Sequence, residues 1–108
     1  MFHNKSIFAA TLSDQFRISA KWRTAQAKRY SYDARNATAA QRLLELDAEI
    51  DIPDHAWEQI QPLVSDPACL AVVSETMRDV AFRKHPASFV EWLEIFRANL
   101  TRSQSVDA

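Results

Sequence analysis

The chain has 108 residues, no glycine and one cysteine, with 13 Lys and Arg set against 14 Asp and Glu for a formal net charge of −1. The missing glycine excludes the phosphate-cradling loops of Walker, Rossmann and kinase-type nucleotide sites, and the single Cys69 excludes an internal disulfide or a cysteine-based zinc centre. A hydrophobic fraction of 47% and a charged fraction of 25% are those of an ordinary soluble globular chain, and no apolar run is long enough to span a bilayer.

Seventeen alanines without a glycine favour helices joined by Pro, Asp, Ser and Asn, because glycine is what gives hairpins and helix C-caps their cheap positive φ. The expected fold is all-α: a compact irregular bundle of about five helices with an N-terminal helical hairpin. Residues 1–101 are expected to form one domain and 102–108, "RSQSVDA", a disordered tail. The N-terminal "MFHNKSIFAATL" has a short, interrupted apolar stretch and no convincing cleavage site, so no secretory leader is expected and a reducing, cytoplasmic location is the default.

The first helical segment, about residues 4–29, places Phe8, Leu12, Phe16 and Ala20 on one stripe. Asn4 or Ser13 can cap it, the latter if the segment breaks in two. "YSYDARN" then interrupts, and Asp33 is the expected N-cap of a second helix over 34 to about 50, through Ala37, Ala40, Leu43, Leu44, Leu46 and Ile50. Pro53 ends that helix, and Asp54 is expected to cap a short third one, bent or shortened by Pro62, with Trp57, Ile60 and Val64 inward. Asp66-Pro67 signals a fourth start, followed by Leu70, Val73, Met77 and Val80 at helical steps. Pro86 stops it. Ser88 and Glu91 then fit a capping box, ahead of the apolar face Phe89, Trp92, Leu93, Phe96 and Leu100.

Residues 44–52, "LELDAEIDI", alternate like a half-buried strand, but their Leu, Glu and Ala are helix formers and no second alternating run exists to pair with them. They are read as the acidic end of the second helix with an extended exit into Pro53.

Charge is segregated along the chain. Residues 17–42 hold seven Lys and Arg against Asp33 alone, whereas 43–66 hold seven acids and no Lys or Arg. A short connection near 30–33 folds the first two helices into an antiparallel hairpin. The hairpin then has a positive tip at Lys28, Arg29 and Arg35, and a negative base where Arg17 lies level with Asp47.

Two candidate sites follow. The basic tip comprises Arg23, Lys28, Arg29, Tyr30, Tyr32 and Arg35, with cations for phosphates and aromatics for stacking; a solvated surface is its plainer account. The acidic surface comprises Glu45, Asp47, Glu49 and Asp51, of which only Glu45 and Glu49 lie one turn apart, so a charged solvent face is favoured over a hard-cation site. His3, His55 and His85 are scattered without ligand spacing, and Cys69 reads as a buried small hydrophobe. No catalytic residue, metal or cofactor is expected. The functional expectation is a non-enzymatic protein-interaction or regulatory module, binding another protein or a second copy as a homodimer. The alternatives are nucleic-acid binding through the tip and a small enzyme of unstated reaction.

Overall fold

The computed structural model describes residues 4–64 and 68–106, with side chains at all of these except 81, 82 and 104–106. Five helices occur in them and no strand: α1 (Lys5–Arg29), α2 (Arg35–Ala48), α3 (Asp54–Val64), α4 (Cys69–Phe82) and α5 (Phe89–Val106). α1 and α2 form the expected antiparallel hairpin, α4 packs on α2 and α5, and α3 lies against α5. At 1.5 Å per residue α1 is about 37 Å long, which accounts for most of the 42 Å long axis of the molecule.

α1 is a single unbroken helix of 25 residues. The break expected near Ser13 does not occur, because Asn4 is the cap: its Oδ1 accepts from the Ile7 amide at 2.9 Å. Phe8, Leu12, Phe16 and Ala20 are all buried, so the four-residue stripe is the inner face. It meets the aromatic face of α5. Trp92 stacks on Phe96 with ring centres 5.5 Å apart, Phe16 tilts against Trp92 at 5.0 Å, and Phe8 bridges Phe96 and Trp57 of α3. These rings, with Leu43 and Leu46 of α2 and Val73 and Met77 of α4, form one continuous core.

Several boundaries differ from the sequence expectation. α2 ends at Ala48 rather than near Ile50, because the chain must straighten to bury Ile52 ahead of Pro53. Asp33 accepts from the Arg35 amide at 3.0 Å, but the helix proper starts at Arg35 after Ala34. Asp54 is drawn into an ion pair with Lys5 of α1 at 2.5 Å, and α3 begins at Asp54 itself. Pro62 falls in the last turn of α3, where the helix ends two residues later. The start signal at Asp66-Pro67 lies outside the described residues. The capping box at α5 forms with a shift: Ser88 Oγ accepts from the Glu91 amide, and Glu91 reaches back to the amide of Ala87 rather than Ser88.

The expected disordered tail is helical through Val106. Arg102 explains the continuation, since its Nη2 donates to Glu75 of α4 at 2.6 Å and to Asn99 one turn back at 3.2 Å. Asn99 is itself buried and donates to Thr76 at 3.0 Å, so the end of α5 is tied into a polar network on α4.

Candidate functional site

The hairpin register brings the first opposite charges together as expected. Arg17 Nε lies 3.8 Å from Asp47 Oδ2, and Ser13 donates to Asp47 Oδ1 at 2.5 Å. This contact divides the acidic surface. Asp47 turns inward to α1, while Glu45 accepts from Arg42 at 3.0 Å on the side where Arg42 also donates to the Pro86 carbonyl. Glu49 and Asp51 are exposed and make no ion pair among the described residues. The four acids therefore face different surroundings, and no group of three His, Cys, Asp or Glu residues able to hold a metal ion occurs among the described residues. A helix turns about 100° per residue, which sends alternate side chains to nearly opposite sides.

The basic tip is also smaller than the sequence suggests. Arg35 holds both oxygens of Asp33, with Nη2 to Oδ2 at 2.8 Å, and that hydrogen bonding draws the Asp33 pKa down to about 2. Lys28 and Arg29 remain exposed with no carboxylate partner among the described residues. Arg29 lies 5.5 Å from the Tyr30 ring centre, and Tyr30 meets Tyr32 edge-on at 6.2 Å, leaving Tyr32 86% exposed. Arg23 does not belong to this group. It lies further down α1, where its Nη1 is 3.3 Å from Asn36 Oδ1 and its guanidinium sits 4.7 Å from the Trp22 ring centre.

That position puts Arg23 at a feature the charge pattern does not announce: an open groove of about 460 Å³ between α1 and α4. Its walls are Ile18 and Trp22 from α1 and Ala71 and Ser74 from α4, and its floor is Leu43 and Met77, both buried in the core. Ile18 is 60% exposed and Trp22 54% exposed. Large apolar side chains left this open are costly unless something covers them, and a groove of this size and lining is the ordinary form of a binding site. Arg23 and Arg78 complete the lining, which contains two cations and no acid. Burial and then the neighbouring Arg78 charge lower the Arg23 pKa. Arg78 is ion-paired with no carboxylate among the described residues, since the acids of α4 point the other way: Glu75 to Arg102 and Asp79 to Asn99 and Arg83.

One sequence signal leads to this groove. Ile7, Ile18 and Trp22 recur at spacings of eleven and four, which returns them to one face of α1 well away from the Phe8–Ala20 stripe. A helix with two apolar faces has one more than its own core needs.

The fold and site together define an all-α bundle with an open apolar groove that is cationic at one end. No family model matches the chain, and no curated protein or solved structure matches it significantly. No helix among the described residues is long and apolar enough to cross a membrane.

Proposed function

We propose that this protein is a non-enzymatic interaction module that receives the apolar face of a partner protein's helix in the groove between α1 and α4. The observation that carries this reading is the exposure of Ile18 and Trp22 along an apolar cleft whose floor is continuous with the core. Covering each side chain is worth roughly 1.5–3 kcal/mol, and helix-in-groove recognition anchors on residues of this kind. A cytoplasmic setting suits the one cysteine, which is buried. The test is a capture experiment comparing the tagged chain with an Ile18→Asp/Trp22→Ala variant verified as helical. A protein retained by the first and lost by the second supports the reading. Equal retention rejects it.

A homodimer pairing basic tip to acidic base has less support, because Arg35, Glu45 and Asp47 already have partners within the chain. Nucleic-acid binding is the second reading. Its support is the exposed cluster of Lys28, Arg29, Tyr30 and Tyr32, which combines two cations with a stacking surface. A low-salt mobility shift with single-stranded DNA tests it against Lys28→Glu/Arg29→Glu. No shift, or a shift that survives the double change, removes it.

A further inference from the structure

Resting on the groove reading, we propose that the helix seated between α1 and α4 is an acidic one, with carboxylates placed against Arg23 and Arg78. The argument is charge complementarity. The groove is apolar along its length, and its formal charges are two guanidiniums converging from different helices. Arg23 is held in place from both sides, by Asn36 Oδ1, itself on a buried residue, and by the Trp22 ring. Its rotamer freedom is therefore already reduced before any partner arrives, so less entropy is lost on binding.

α4 sorts its charges by face. Glu75 and Asp79 are one turn apart and bonded to Arg102, Asn99 and Arg83, which leaves them unavailable to neutralise the groove. Ala71, Ser74 and Arg78 follow at steps of three and four on the face toward α1. A basic helix would bring a third and fourth cation to this end, at a cost that rises as the apolar cleft closes over them. An uncharged helix would fill the cleft and dehydrate both guanidiniums while bringing them no counter-charge. An acidic helix avoids both penalties and can take bidentate hydrogen bonds from either arginine.

A selection experiment tests this with displayed helices as the probe. A phage library of helices with a fixed leucine stripe and all other positions randomised is selected against the wild-type chain, Ile18→Asp and Arg78→Glu. The expected result is enrichment of Asp and Glu on the wild type, loss of recovery on Ile18→Asp, and a shift toward Lys and Arg on Arg78→Glu. A selected peptide should bind about tenfold tighter than its Glu→Gln counterpart. If Arg78→Glu does not fold, Arg78→Gln reads the same loss of acidic preference. Leucine-striped helices recovered with no acidic enrichment, or with the same enrichment on the Arg78 variant, overturn this inference and leave groove docking standing. Equal recovery on Ile18→Asp overturns both. Light scattering of the chain alone covers the remaining occupant: a dimer abolished by Ile18→Asp seats a second copy in the groove and overturns the acidic partner.

Discussion

Ser13 Oγ donates to Asp47 Oδ1 at 2.5 Å, joining the middle of α1 to the last turn of α2. Arg17 stands on the same carboxylate one helical turn along, and also donates to Ser13 Oγ at 3.0 Å. Three side chains thus close a small network that fixes the hairpin register. Asp47→Ala should cost about 1.5–3 kcal/mol, the range for hydrogen bonds to a charged group, whereas Glu49→Ala and Asp51→Ala should stay within about 0.5 kcal/mol. Chemical denaturation measures both. A double-mutant cycle of Ser13→Ala with Asp47→Ala should show non-additivity, because the two residues share the bond.

The caps of α1 and α5 are expected to be worth similar amounts. Asn4→Ala and Ser88→Ala each remove an oxygen that accepts an otherwise unbonded amide, from Ile7 and Glu91 respectively. Each should lower stability by about 1 kcal/mol. Asn4→Asp, which retains the acceptor, should restore it, as read from the thermal midpoint.

Trp92 carries a different signature. It is fully buried among Phe16, Phe89 and Phe96, yet its Nε1 has no hydrogen-bond partner among the described residues. An orphaned buried donor costs about 1–3 kcal/mol, and Trp92→Phe removes it while losing some volume. That substitution should cost less than Phe96→Ala, for which about 3–5 kcal/mol is expected from lost burial and the cavity left behind. Equal losses in urea titrations would show that the indole is satisfied.

Asp33 provides the pH prediction. Hydrogen bonds from Arg35, first from its side chain and then from its amide, lower the Asp33 pKa from 3.8 to about 2. A carboxyl with a depressed folded pKa contributes stability that is fully present above its unfolded value and lost as pH falls through the folded one. The Asp33–Arg35 contribution should therefore be intact above pH 3.8 and fade toward pH 2. Carbon-detected NMR titration of the Asp33 carboxyl should show a midpoint near the lower value, and Arg35→Gln should raise it toward the ordinary range.

Much of the bundle is legible in the sequence because helical burial leaves a periodic trace. Phe8, Leu12, Phe16 and Ala20 can share only one face of a helix, and all four are buried. The same holds for Phe89, Trp92, Leu93, Phe96 and Leu100. The acidic run is legible as helix but not as separate surroundings. Composition groups Glu45 with Asp47, while the helical turn sends one toward Arg42 and the other toward Ser13. The end of α5 is not legible, because "RSQSVDA" has tail composition and the anchor that orders Arg102 is Glu75 on another helix.

Spacing and composition within short stretches of chain are enough to define the helices, the hairpin with its register, and the two blocks of opposite charge. Which of those charges are already neutralised, and where apolar surface stays open, depends on how the helices pack. Arg23 and Arg78 lie on α1 and α4, and no local pattern records that they end the same groove. Trp22 and Ile18 look like core residues on a helical wheel, and their exposure follows from where α4 leaves α1 uncovered. Burial and ion pairing are properties of contact between segments, so they exist only once the helices have come together.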